Sequence, residues 1–210
     1  MTTAVILGCM ALVSYLLGSI PTGYWLARSL RGIDIREHGS GSTGATNVLR
    51  VVGKGPGLLT FVVDVLKGTG AVLMGRWLFG QPWSGVPPAW ADYCLLAIAL
   101  IAVLGHSKPI WLGWRGGKSV ATSLGVLLAL NWPTALASFG VFLVVLAFSR
   151  IVSLGSIIAA LSLPVWFWVF TGSLPFVGFS LLASAFVIWR HQSNIQRLLS
   201  GTEPRLGASS

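Results

Sequence analysis

The sequence predicts an all-α integral membrane protein with seven transmembrane helices, its N-terminus outside and its C-terminus cytoplasmic. Three observations carry that prediction: the composition, the lengths of the charge-free runs, and the placement of Lys and Arg. Of 210 residues, 54% are hydrophobic and 9% are charged, with a mean hydropathy of +0.81. A soluble domain carries roughly 25% charged residues, so this chain lacks the polar groups to coat a water-facing surface. The net charge of +9 comes from 14 Lys/Arg against 5 acids. In a chain this apolar, that excess points to the positive-inside rule and to membrane lipid headgroups rather than to nucleic acid. Cys9 and Cys94 both sit in apolar runs and read as small buried hydrophobes, with no disulfide framework implied.

Each span needs about 20 apolar residues. The first Lys or Arg is Arg28, and MTTAV lacks the basic start of a signal peptide. A retained helix is therefore expected over roughly 4–27. The second span runs from about Pro56 to Phe79. The third runs from Pro88 to about Leu104, opened by a proline at a first helical turn. Residues 119–149 are charge-free for 31 residues and are interrupted by Asn131-Trp132-Pro133, which is turn chemistry. They split into spans four and five, the fourth starting near Gly116. Residues 151–189 are charge-free for 39 residues, break at Thr171–Pro175, and supply spans six and seven.

With the N-terminus outside, 12 of the 14 basic residues fall inside, all but Arg76 and the embedded Lys67. Treating 119–149 as one span would put the basic tail outside, so the charge bias supports the split. No internal repeat or soluble domain is visible. Residues 1–210 read as a single membrane-embedded domain whose last ten residues form a mobile tail.

Three polar segments are then expected on the cytoplasmic face: HGSGSTGATNVLR (38–50), GHSKPIWLGWRGGKS (105–119) and RHQSNIQRLLSGTEP (190–204). The first packs Gly39, Gly41 and Gly44 among Ser40, Ser42, Thr43, Thr46 and Asn47. Glycines let successive backbone N–H groups face one concavity, and hydroxyls add donors, which suits phosphate oxygens. Arg50 follows with positive charge. Taken alone, the segment reads equally as a flexible polar loop. RGGKS pairs Gly116 and Gly117 with Lys118. It is not a nucleotide P-loop, because that motif needs glycine where Leu112 stands.

Asp64 and Lys67 are three apart on one side of the second helix. A lone charge at mid-membrane costs about 2.5–3.5 kcal/mol on insertion scales. The pair reads either as mutual neutralisation or as support for a substrate pocket, and the two are compatible. His38, His106 and His191 show no metal-ligand spacing, so no metal and no cofactor are expected. The residues five after each histidine are Thr43, Trp111 and Gln196, which excludes a His-x4-Asp base. The five acids are isolated in sequence, leaving no paired carboxylates.

SGSTGATNVLR, DVLKG (64–68), GHSKPIWLGWRGGKSVAT (105–122), SLGS (153–156) and RHQSNIQRLLSGTE (190–203) resemble the bacterial acyl-phosphate:glycerol-3-phosphate acyltransferase family, PlsY. SYLLGSIPTGY (14–24) resembles that family's first helix. The match covers nearly the whole chain in order. The resemblance implies a seven-helix, multi-pass enzyme of the cell inner membrane with its active site facing the cytoplasm. It implies transfer of an acyl chain from acyl phosphate to the sn-1 hydroxyl of glycerol 3-phosphate, giving lysophosphatidic acid and inorganic phosphate. The expected partners are those two substrates and membrane lipids, with the protein a monomer.

By the same resemblance, Ser40, Gly41, Ser42, Thr46 and Asn47 would hold a phosphate, with Arg50 and Lys118 supplying charge. Gly116, Gly117, Lys67, His106 and Ser156 join the expected substrate-binding set. Lys118, His191 and Asn194 are the expected catalytic residues, the last two orienting the acceptor or stabilising the oxyanion. Acyl phosphate is already an activated anhydride, so a substrate phosphate can take the hydroxyl proton in place of a protein base. The family usually has Asn at Ser42 and Gly at Ser119. The competing class is an organic-phosphate transporter, which would favour internal repeats and helices broken near the midplane. A head-group phosphotransferase would want an aspartate cluster that the sequence lacks.

Overall fold

A computed structural model describes residues 3–207, whose regular elements are all helices. The chain divides into two compact units, Met1–Leu130 and Asn131–Ser210.

In the first unit, the expected first span over 4–27 is present as Thr3–Arg31, made of two helices, α1 (Thr3–Ser19) and α2 (Thr22–Arg31). Pro21 separates them: its nitrogen carries no proton for the helical ladder. Gly32, at φ 68°, ends α2 in the left-handed conformation that glycine adopts without a Cβ clash. A 3-10 turn at Ile35–Glu37 leads to α3 (Ala45–Val51), α4 (Lys54–Phe79) and α5 (Pro88–Ser107). Further such turns lie at Pro82–Ser84 and at Ile110–Leu112, the latter preceding α6 (Val120–Leu130).

The longest helix, α4, packs against α1, α2, α3, α5 and α6. Its approach to α6 depends on missing side chains. A methyl at Gly68 would overlap the Thr122 carbonyl oxygen, and one at Gly125 would overlap the Val65 carbonyl oxygen. In lipid there is no hydrophobic drive between helices, so close backbone contact of this kind carries the association. The α1–α5 contact is built likewise, with Gly18 against Ala102 and Gly105 against the Tyr15 carbonyl.

The second unit contains α7 (Trp132–Ser149), α8 (Val152–Thr171), α9 (Leu174–Arg190) and α10 (Gln192–Leu199). Asn131 does interrupt the 119–149 run, its side-chain oxygen accepting the Thr134 N–H at 3.0 Å as an N-cap. Ser184 Oγ donates to the Ala160 carbonyl and ties α9 to α8. Residues beyond α10 do not form the expected mobile tail as far as they are described. The Leu206 N–H donates to the Arg150 carbonyl at 2.7 Å, folding the segment back over the start of α8.

Among the described residues, seven spans are not present. Five helical segments are long and apolar enough to cross a membrane, or six if α9 and α10, bent by 62°, count as one. The expected span at 116–130 fails outright, and the seventh, at α9, counts only together with α10. Helix α6 has 11 residues, roughly 16 Å at 1.5 Å per residue, against a hydrocarbon core of about 30 Å. Its apolar character has another cause: Thr122, Gly125, Val126, Leu127, Ala129 and Leu130 are buried within the unit. A charge-free run looks alike whether lipid or protein surrounds it. Placing the termini on opposite sides rested on the count of seven, and that argument lapses with it.

Candidate functional site

The first glycine-rich segment is ordered by Asn47, which is buried at 2% exposure. Its amide nitrogen lies 3.2, 3.0 and 2.9 Å from the carbonyl oxygens of Ile35, His38 and Ser42. Its amide oxygen accepts the Ser40 N–H at 2.9 Å. One side chain thus gathers the loop from both sides, over a small core of Ala27, Ile35, Val48 and Val52. Gly39 has φ 60° and Gly41 has φ 66°, and a Cβ on Gly39 would strike the Asn47 amide oxygen. The Gly41 N–H donates to the His38 carbonyl at 3.1 Å. Ser42 Oγ accepts the Gly44 N–H at 3.2 Å, a local turn contact. The segment is therefore a preorganised loop, and Asn47 and Ser42 are tied to its own backbone. Ser40 and Gly41 are exposed at its surface, Thr46 is half-buried, and Arg50 is exposed at the end of α3.

Arg36 joins this loop to the second one. It forms a two-pronged pair with Asp34, its Nη2 2.6 Å from Oδ2, while Nη1 donates to the Leu112 carbonyl at 2.8 Å. The guanidinium holds the Asp34 carboxyl below the usual carboxylate range through that hydrogen bonding. Nothing in the composition singled out Asp34 and Arg36, although opposite charges two residues apart in RGIDIREH were a visible signal.

The second segment folds back on the end of α5. The Gly116 N–H donates to Ser107 O at 3.1 Å and the Gly117 N–H to His106 O at 3.2 Å, while Ser107 Oγ donates to the Gly117 carbonyl at 2.9 Å. A side chain at Gly117 would overlap the His106 ring, and one at Gly116 the His106 carbonyl oxygen. Lys118, half-buried, follows directly.

Ser119 then takes φ 63°, a left-handed conformation that costs an ordinary residue about 1–2 kcal/mol. Its hydroxyl donates to the Val103 carbonyl at 2.8 Å and lies 3.2 Å from Ser107 Oγ. The usual glycine of the family is thus explained by backbone shape. Serine offsets the strain with one buried hydrogen bond to Val103, worth about 1 kcal/mol. Ser119→Gly is expected to leave the thermal midpoint within a few degrees of wild type, read by tryptophan fluorescence.

Below this loop, the Asp64–Lys67 pair is formed, Oδ1 to Nζ 2.8 Å, with both side chains 3% exposed. Lys67 Nζ also donates to the Ile20 carbonyl at 2.8 Å, at the α1–α2 break. That break leaves a carbonyl without its helical partner, and burial of such a group without one is costly. His106 joins the pair, its Nδ1 3.5 Å from Asp64 Oδ1. The spacing of three predicted the first contact; the second needed the α4–α5 packing.

In the second unit, His191 lies 3% exposed at the α9–α10 bend, its Nδ1 2.7 Å from the Val187 carbonyl. Asn194, 5% exposed, donates through Nδ2 to Glu203 Oε1 at 2.6 Å. Ser153 Oγ donates to the same oxygen at 2.6 Å, and Arg197 Nε donates to Oε2 at 2.7 Å. Burial pushes the Glu203 carboxyl up, but the hydrogen bonds from Ser153, Asn194 and Arg197 outweigh it and hold the group below its usual range. Glu203 was overlooked as an isolated acid near the C-terminus, though it closes the SGTE segment. Ser156 Oγ donates to Val152 O within its own helix at 2.9 Å. Among the described residues, no group of three or more His, Cys, Asp or Glu is placed to hold a metal ion.

These features define the class: an all-α, multi-pass membrane protein with ordered, basic, glycine-rich loops. The glycerol-3-phosphate acyltransferase family matches residues 8–201. The chain is 80% identical over 209 residues to the glycerol-3-phosphate acyltransferase of Thermosynechococcus vestitus (strain NIES-2133 / IAM M-273 / BP-1), covering 100% of this chain and 99% of the relative. It is 56% identical over 207 residues to that of Acaryochloris marina (strain MBIC 11017), covering 95% and 92%. The crystal structure of PlsY, an integral membrane glycerol 3-phosphate acyltransferase, in its glycerol 3-phosphate form superposes with a TM-score of 0.85 at 39% identity over 96% of each chain. The lysophosphatidic acid form gives 0.82 at 39% identity, over 96% and 95%. The chain belongs to the glycerol-3-phosphate acyltransferase family, and it is an acyltransferase of the PlsY type.

Proposed function

We propose that the two glycine-rich loops of the first unit receive the substrate phosphate, with the active site facing the cytoplasm of a multi-pass inner-membrane enzyme. The reaction is acyl transfer from acyl phosphate to the sn-1 hydroxyl of glycerol 3-phosphate, giving lysophosphatidic acid and inorganic phosphate. The observation that carries the loop assignment is their joint organisation: Asn47 gathers the first, Arg36 ties it to the second at Leu112, and Lys118 stands at the second's end. Ser40, Gly41 and Thr46 line the first loop, Arg50 adds charge, and Asn47 and Ser42 hold its shape. Gly116 and Gly117 let the backbone come close, and Lys118 offsets the charge that grows on the departing phosphate. A preorganised donor or cation of this kind acts without reorganising during the reaction.

The acceptor oxygen bonds to the acyl carbon, the bond from that carbon to the phosphate oxygen breaks, and inorganic phosphate leaves. The hydroxyl proton passes to a substrate phosphate oxygen, so no protein base is needed. His191, Asn194 and Ser156 orient the acceptor or stabilise the developing oxyanion. The cytoplasmic assignment is supported by the basic content of the loops and the positive-inside rule.

The test is an acyl-donor comparison in sealed vesicles of both orientations, with radiolabelled glycerol 3-phosphate that does not cross the bilayer. Lysophosphatidic acid is expected from palmitoyl phosphate and not from acyl-CoA or acyl carrier protein. It is expected only when the cytoplasmic face is outward. Activity from the opposite face, or with another donor alone, refutes the corresponding part.

A further inference from the structure

Asp64, Lys67 and His106 form a buried cluster, 2%, 6% and 6% exposed. Lys67 alone neutralises Asp64, so charge balance leaves the third contact, to His106, without a purpose. Charge pairs buried for balance alone are commonly replaceable by apolar residues at little cost.

The far side of His106 supplies the purpose. Its ring edge, with Nε2 foremost, occupies the volume where a Gly117 side chain would stand. Its carbonyl accepts the Gly117 N–H, and the next residue, Ser107, holds both the Gly116 N–H and the Gly117 carbonyl. The turn before Lys118 therefore rests on His106 as on a template. A histidine ring has a broad, two-fold preference about its last torsion, so one backbone anchor does not set its plane. A carboxylate facing Nδ1 does, and it favours the tautomer with the proton there.

We propose that Asp64 is a positioning residue for acyl transfer, acting through the His106 ring to fix the Gly116–Gly117 turn and with it Lys118. Lys67 keeps the Asp64 carboxylate balanced and anchors it to the Ile20 carbonyl at the α1–α2 break. The proposal rests on the assignment of Lys118 to the substrate phosphate.

The experiment uses the full chain in lipid nanodiscs, labelled with 15N-histidine. In the wild type, His106 is expected as a single form protonated at Nδ1. The Asp64→Leu/Lys67→Met double variant removes both charges without leaving either alone. It is expected to fold with a lowered thermal midpoint, because the Ile20 carbonyl loses its Lys67 donor, to show His106 averaging between tautomers, and to lose about 100-fold in kcat/KM per folded protein, the scale of a small misplacement of a reacting group. Asp64→Asn, which keeps an oxygen facing Nδ1, is expected to recover at least tenfold of that loss. Wild-type kinetics in the double variant overturn the proposal, as does a loss of activity that merely tracks loss of folded protein. Should the double variant fail to fold, the wild-type spectrum decides: a His106 without a proton on Nδ1, or one averaging between tautomers, overturns it. An active Lys118→Ala enzyme would instead overturn the underlying assignment of Lys118. An inactive one beside an active double variant sinks the positioning role alone.

Discussion

Lys118→Ala is expected to lower kcat about 100- to 1,000-fold, the range seen when one preorganised charge-stabilising group is removed from an active site. Lys118 ends a turn whose other members, Gly116 and Gly117, are held by His106 and Ser107. These backbone contacts of the turn remain in the Lys118→Ala variant. The thermal midpoint should move little while turnover collapses, and that separation is the diagnostic feature. Lys118→Arg keeps the charge but replaces a compact ammonium with a larger planar fork, so partial recovery is expected. Steady-state kinetics with palmitoyl phosphate, read beside a melting curve, check the result. A variant within twofold of wild type would remove Lys118 from the mechanism.

Glu203→Ala is expected to have the second large effect, on stability first and activity through it. Three donors converge on this carboxylate, from Ser153, Asn194 and Arg197. Each buried donor left without an acceptor costs about 1–3 kcal/mol. The tail should detach from α8 and α10, and Asn194 should lose its orientation. Glu203→Gln retains an oxygen for part of the network but turns a donor toward another donor, so an intermediate loss is expected.

The pH dependence has a definite sign. The folded carboxyl titrates below its ordinary range because the three hydrogen bonds outweigh burial. The unfolded chain therefore takes up a proton first as pH falls. The contribution of Glu203 is complete above the unfolded value near about 4.3 and is lost as pH falls through the folded one. Melting curves from pH 7 to pH 3 should show this acid-side loss in wild type and a smaller one in Glu203→Gln, where Asp34, also held below its usual range, remains.

How much of this was legible beforehand differs by element. The helix break at Asn131 was readable, since Asn followed by Trp-Pro is local turn chemistry and the structure uses Asn131 as an N-cap. The break at Pro21 was equally local but passed over, because no charge marked it. The Asp64–Lys67 contact followed from helical spacing. Its extension to His106 and Ile20 did not, because those residues lie 42 and 47 positions from their partners along the chain. Ser119 was visible only as a departure from the family's usual glycine. Its positive φ and its bonds to Val103 and Ser107 show why a small residue stands there.

Composition and residue order by themselves determined that this is a helical membrane protein, and the long ordered motifs identified its family. Both are properties that survive without knowing where any atom lies: hydropathy decides the solvent, and motifs decide kinship. The number of crossings and the partners of each buried polar group were settled only in three dimensions. Helix α6 is apolar because it packs against α4 and not because it spans the bilayer. The charged 9% of the chain is likewise divided by tertiary contacts. The pairs Asp34–Arg36, Asp64–Lys67 and Arg197–Glu203 are local in the chain, but the further contacts of Arg36 with Leu112, of Lys67 with Ile20 and of Glu203 with Ser153 depend on which elements come within hydrogen-bond reach.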